Sequence, residues 1–179
     1  MLEEEVRLQI HVIIFSDNNL QDLQDTLNSL TDSNFIINKI IIITKKRILP
    51  KEINLEFGGR WRIQNLTKNI TKDQAIHMVQ RTARTNCYSF AEAGYKFDPQ
   101  FFDTINDFVT KKLGQFAMIK PNPDDYNGCT IPNSVHDYWN FNKGPSTVVK
   151  SIENYQCQNP NQKIVWTLND IMQYQMQTL

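Results

Sequence analysis

The residues able to do chemistry in this 179-residue chain fall into a few groups. Lys45-Lys46-Arg47 is a basic run that directly follows an isoleucine-rich segment. It reads either as a solvated strand end or as an attractor for a diphosphate or another anionic ligand. Asp17, within Ser16-Asp17-Asn18-Asn19, has the residue type and place to cap a following helix. Glu92-Ala93-Gly94 reads as a turn with an exposed glutamate. Asp124-Asp125 is a paired carboxylate in a proline-flanked loop. Tyr138-Trp139-Asn140-Phe141 reads as core packing or as an aromatic platform for the flat apolar face of a sugar ring. Arg81 and Arg84 stand three apart on a helix, as surface residues or phosphate contacts.

Other chemistries are excluded by what is missing. His11, His77 and His136 have no metal-ligand spacing, and His11 alternates within an apolar run as a core histidine would. Cys87, Cys129 and Cys157 form no CxxC, which fits reduced thiols. With six glycines there is no GxGxxG, no GxxxxGK[ST] and no GxSxG. The formal net charge is zero, with 19 basic and 19 acidic residues, so no nucleic-acid partner is expected. No apolar run approaches the roughly 18 residues of a membrane span. Met1-Leu2-Glu3-Glu4-Glu5 is acidic where a secretory leader would be basic, so an intracellular, cytoplasmic location is expected. On that expectation the sequons Asn65-Leu66-Thr67 and Asn69-Ile70-Thr71 are accidental.

These groups need elements to position them. Ile10–Phe15 is a β-rich apolar run and predicts a buried strand. Leu20, Leu23, Leu27 and Leu30 predict an amphipathic helix over 19–30. Lys39–Thr44 predicts a second buried strand, and the three together read as a βαβ unit with a parallel pair. Gly58-Gly59 marks a turn, and Arg60–Leu66 a third strand. Thr71 would cap a helix with Gln74 at the capping-box position. Asn86–Ala91 predicts a fourth strand, and Asp98-Pro99 a helix start with proline at its first position. Phe116–Ile119 predicts a strand and Cys129–Ile131 an edge strand. Further on, 133–141 and 145–155 read as helices, Ile164–Trp166 as a strand and Leu168–Gln177 as a helix. The fold class is α/β with a mostly parallel sheet.

Three segments, in order, resemble a family 2-type glycosyltransferase of the GT-A fold. IHVIIFSDNNLQDLQDTLNSL (10–30) is similar to that family's opening strand, "T-x-N" type loop and "L-x-S-L" helix. FIINKIIIIT (35–44) is similar to the strand that normally reads "E-I-I-V-V-D-D". QAIHMVQRTARTNCYSFAEAGYKFDPQFF (74–102) looks like the helix, strand and loop that carry "D-x-D" and "P-x-F-L". NGCTIPNSVHDYWNFNK (127–143) is a weaker match to the acceptor-side region.

The resemblance implies one GT-A-like domain over 1–179, a mostly parallel sheet flanked by helices, abbreviated on its acceptor side. It implies transfer of a sugar from a nucleotide-sugar, UDP-linked, to a glycan or other hydroxyl acceptor. Asp17 and Ser16 would contact the nucleotide, and Lys45 would draw the diphosphate. Glu92 would hold a divalent cation, Mn²⁺ or Mg²⁺, against the leaving phosphate. Asp137 would be the general base, with Glu153 the other nearby carboxylate. The chain departs from the pattern in its late Glu-Asp catalytic pair, which has no clear counterpart, and at both aspartate signatures. Gly94 occupies the second D-x-D position, and Thr44-Lys45-Lys46 replaces an aspartate that contacts the base. The loss of both aspartate signatures favours an alternative, a catalytically inactive carbohydrate-binding or structural module with a protein partner.

Overall fold

The computed structural model describes residues 9–31, 37, 39–47, 62–67, 74, 87–110, 118–121, 127–132 and 148–177. Strand β1 (Ile10–Phe15) forms where β-branched residues follow one another, and its first five residues are buried. Helix α1 (Leu20–Thr31) buries Leu23, Thr26, Leu27 and Leu30 along one stripe. Strand β2 (Lys39–Thr44) is buried from Ile40 onward and pairs parallel with β1, Ile13 opposite Ile41. The expected βαβ unit is therefore present.

β3 (Arg62–Thr67) pairs parallel with β2 on its far side. β4 (Cys87–Glu92) pairs parallel with β1 on the other, Ile13 opposite Phe90. Helix α2 (Phe101–Thr110) follows. Strands β5 (Met118–Lys120) and β6 (Cys129–Pro132), helix α3 (Val148–Gln158), strand β7 (Val165–Thr167) and helix α4 (Leu168–Gln177) complete the described elements. Among the described residues the sheet has seven strands in the order β3-β2-β1-β4-β6-β5-β7. Of these, only β6 runs against the others, antiparallel to β4 and to β5.

Three expectations shift. Cys129–Ile131 was expected at an edge, but β6 lies inside the sheet between β4 and β5, with Cys129, Thr130 and Ile131 fully buried. A four-residue strand carries too little pattern to report its neighbours, and its burial on both faces is set by distant chain. Pro99 does not occupy the first helical position. The Phe101 N–H donates to the Asp98 carbonyl at 3.1 Å and the Gln100 N–H to Asp98 Oδ1 at 2.8 Å, which makes a turn with Pro99 at its second place. The helix expected over 145–155 is α3, described from Val148 and running on to Gln158. The Gly58-Gly59 turn, the Thr71 cap and the helix at 133–141 lie outside the described residues.

Period-two alternation gives the sheet two apolar faces. On one face Ile10, Val12, Ile14, Ile40 and Ile42 meet Leu23, Leu27, Phe102, Ile105, Phe108 and Ile171 from α1, α2 and α4. On the other, Ile13, Ile41, Tyr88, Phe90 and Met118 meet Ile152 of α3. Each fully buried aliphatic contributes about 1.5–3 kcal/mol relative to exposure. His11 is 7% exposed on that second face, a core histidine as its alternation implied. Because β3, β2, β1, β4, β5 and β7 run in one direction, their carboxyl ends share one edge. That edge holds the candidate site.

Candidate functional site

The β1–α1 loop is held by its own side chains. The Ser16 N–H donates to the Ile43 carbonyl at 3.0 Å, and Ser16 Oγ accepts the Asn18 N–H at 3.2 Å. Asp17 is exposed and its Oδ1 accepts the Asn19 N–H at 3.1 Å. Asp17 thus takes the Asn19 amide, as its capping reading expected, and Asn19 is in turn the N-cap of α1. Asn19 Oδ1 accepts the Asp22 N–H and its carbonyl accepts the Leu23 N–H, each at 3.1 Å.

Asn18 adopts a left-handed φ of 71°, which asparagine tolerates better than other side-chain-bearing residues. In that conformation its amide grips the Lys46 peptide. Nδ2 donates to the Lys46 carbonyl at 2.9 Å, and Oδ1 accepts the Lys46 N–H at 3.2 Å. Thr44 Oγ1 donates to the same carbonyl at 2.6 Å. Asn65 Nδ2 then donates to Thr44 Oγ1 at 3.0 Å and to the Ile42 carbonyl at 3.1 Å. A ladder of polar side chains thus ties the ends of β3, β2 and β1 together. Lys45, Lys46 and Arg47 project from it, all exposed.

The end of β4 is built differently. Glu92 is exposed; its N–H donates to Asn127 Oδ1 at 2.8 Å and its carbonyl accepts the Tyr95 N–H at 3.1 Å. The Ala93 N–H donates to the Phe15 carbonyl at 2.8 Å. Gly94 has φ 105°, and its N–H donates to the Asp22 carbonyl at 3.0 Å and to Thr26 Oγ1 at 2.8 Å. A Cβ at Gly94 would stand 3.6 Å from Asp22 Cγ. Any L-residue there is strained, and an aspartate would also face a second carboxylate. Gly128 is required for space: a Cβ would come within 2.6 Å of Pro121 Cγ.

On the same edge, Lys120 at the end of β5 pairs with Glu153 of α3 at 2.8 Å, the two side chains being 7% and 30% exposed. Glu153, weighed as a base, is therefore the ion-pair partner of a nearly buried lysine. None of the three cysteines forms a disulfide. Burial pushes the Cys87 thiol up to about 12, so it is a protonated core residue and no nucleophile. Burial likewise raises the Tyr88 hydroxyl, with Cys87 adding to it.

The structure thus brings Ser16, Asp17, Lys45 and Glu92 to adjacent ends of β1, β2 and β4. Asp137, Asp124-Asp125 and the Tyr138–Phe141 block lie outside the described residues. Sequence reading missed Asn18, Asn65, Asn127 and Gly128. Asn127-Gly128 is a turn dipeptide and was findable; the partners of Asn18 and Asn65 are 28 and 23 or 21 residues away and were not. Among the described residues no three of His, Cys, Asp and Glu come together as ligands. With Gly94 as it is, the β4 end does not fit a cation held between two strand-end carboxylates.

No protein-family model and no curated protein sequence matches the chain. Solved structures do. The mannosyltransferase PcManGT of Pyrobaculum calidifontis, in complex with GDP-Man and Mn²⁺, superposes with a TM-score of 0.57 at 10% identity, over 90% of this chain and 55% of that one. TarS of S. aureus, residues 1–349 in complex with UDP-GlcNAc, gives 0.54 at 9% identity, over 73% of this chain and 47% of that one. The chain spans about half the length of these two solved chains, and 29% of a longer solved chain of TarS. The fold is that of glycosyltransferase GT-A domains, as the three resembling segments implied. At this identity the likeness shows the fold.

Proposed function

We propose that this chain is a glycosyltransferase-like domain that binds a nucleotide-sugar along the carboxyl ends of β2, β1 and β4. One observation carries the reading. In a GT-A-like fold, Ser16 and Asp17, Lys45, and Glu92 stand at the ends of three adjacent parallel strands. Open parallel sheets bind ligands at that edge. Asp17 and Ser16 take the nucleoside and Lys45 a phosphate. The donor is UDP-linked, and the acceptor is a glycan or another hydroxyl compound.

In the active form of this reading, the acceptor oxygen attacks the anomeric carbon. Asp137 accepts the hydroxyl proton, and the nucleoside diphosphate leaves with the bonding electrons. Glu92 is the described strand-end carboxylate nearest in role to a cation ligand, but no step here is routed through a metal. A second reading has its own observation. The Gly94 turn and the Thr44–Lys46 strand end replace both acidic positions with structural contacts. That favours a binding module that holds a sugar nucleotide or glycan without turnover, together with a protein partner. No helix among the described residues is long and apolar enough to cross a membrane.

The test is calorimetric titration with UDP, GDP, UDP-GlcNAc and GDP-mannose, followed by a donor-turnover assay on whichever binds. Turnover abolished by Asp137→Asn, with donor affinity retained, establishes the transferase. Tight binding with no turnover on any hydroxyl acceptor establishes the module. No binding at millimolar nucleotide sinks the transferase, and titration with glycans then tests the module.

A further inference from the structure

A divalent cation acts on a diphosphate by bridging its oxygens to protein carboxylates. The β4 end supplies Glu92, and two residues on, the backbone is committed elsewhere. The Gly94 N–H is spent on Asp22 and Thr26, and its φ of 105° excludes an ordinary side chain. Within the described residues nothing else at that end completes a ligand set.

The end of β2 offers the opposite charge. Lys45, Lys46 and Arg47 are consecutive and exposed. Their backbone is not left to solvent. Both polar groups of the Lys46 peptide are taken by the Asn18 amide, and Thr44 Oγ1 adds a second donor to its carbonyl. Asn18 holds a left-handed backbone to make those bonds, a strain that persists only where its surroundings over-determine it. An ordinary solvated basic run has no such anchorage. A pinned backbone lowers the entropy lost when its side chains close on a ligand. The Asp17 carboxylate on the facing loop is turned to the Asn19 N–H. β2 adjoins β1, and adjacent strands lie about 4.8 Å apart, a distance that a lysine side chain can span.

We propose that the chain neutralises the phosphates of its nucleotide ligand with the Lys45–Arg47 run, pinned by Asn18, and that this binding needs no divalent cation. The inference rests on the nucleotide-binding reading above. Lysine and arginine make charge-assisted hydrogen bonds to phosphate oxygens, and these weaken as salt rises.

The experiment is titration of the whole chain with UDP and GDP, in EDTA and in Mn²⁺, at low and raised salt. The proposal expects equal affinity with and without the cation, within about twofold. The double variant Lys45→Ala/Lys46→Ala should weaken binding about tenfold and flatten its salt dependence. Asn18→Gly keeps the left-handed backbone and all charges but removes the grip, and should weaken binding by a smaller factor. Thermal melts of each variant confirm that it folds. Binding that appears only with Mn²⁺ and vanishes in Glu92→Ala overturns the proposal and leaves the nucleotide reading standing. Cation-free binding untouched by the double lysine variant overturns it too. Binding under neither condition overturns the nucleotide reading itself.

Discussion

Gly94 sits in a turn that only glycine suits. Its φ of 105° and the two hydrogen bonds its N–H donates to α1 lock the turn after β4 against that helix. Gly94→Ala should destabilise by about 1–3 kcal/mol in urea unfolding. Gly94→Asp should cost more, because its Cβ would stand 3.6–3.8 Å from the Asp22 side chain and bring a second carboxylate close to the first. An unchanged midpoint for both would refute this account of the turn. His11 gives a pH prediction. Burial, then the charge of Lys39, lowers its pKa below 6.5. The unfolded chain therefore takes up a proton near pH 6.5 that the folded chain refuses, so stability falls as pH drops below about 6.5 and is flat above it. In His11→Phe that slope between about pH 7.5 and about pH 5 should shrink, as measured by urea midpoints. The sequence made His11 legible through its alternation. It could not show Asn18, whose role depends on a peptide 28 positions away.

At the scale of elements, local signals held where they were long. α1 and α4 appear where leucine or mixed apolar spacing predicted them, within a residue. β1 and β2 match their predicted bounds. The start of α4 is fixed by a reciprocal cap: the Thr167 N–H donates to Asp170 Oδ2 at 3.0 Å, and the Asp170 N–H to Thr167 Oγ1 at 3.1 Å. Burial raises the Asp170 pKa, but the Thr167 N–H and Lys163 outweigh it and hold the carboxyl below 3.8. Its contribution is therefore present above the unfolded value, about 3.9, and is lost as pH falls through the folded one. Asp170→Ala should cost about 0.5–2 kcal/mol at neutral pH and progressively less in acid. A cost that is the same at both pH values would contradict the cap. β6 shows the limit of the element scale. Its four residues have the right composition for a strand but no information on whether they lie at an edge.

For the whole molecule, the sheet order makes β1 the best-protected strand, with parallel neighbours on both sides and helices over its first face. Amide exchange should be slowest in Ile10–Phe15 and faster in β3 and β7, which close the ends of the sheet order. Uniform exchange across the strands would mean that the sheet does not open from its ends. What the sequence by itself determined was the α/β class, the βαβ unit and the carboxyl-edge loops, because these follow from periodicity and turn chemistry within 10–20 neighbouring residues. Only the tertiary structure decided that β6 enters the sheet interior, that Glu153 is bound to Lys120, that Gly94 belongs to a turn against α1, and that Asn18 grips the Lys46 peptide. Each of those joins segments separated by tens of residues. Such contacts depend on which surfaces collapse together, and that is a property of the packed chain rather than of any local pattern.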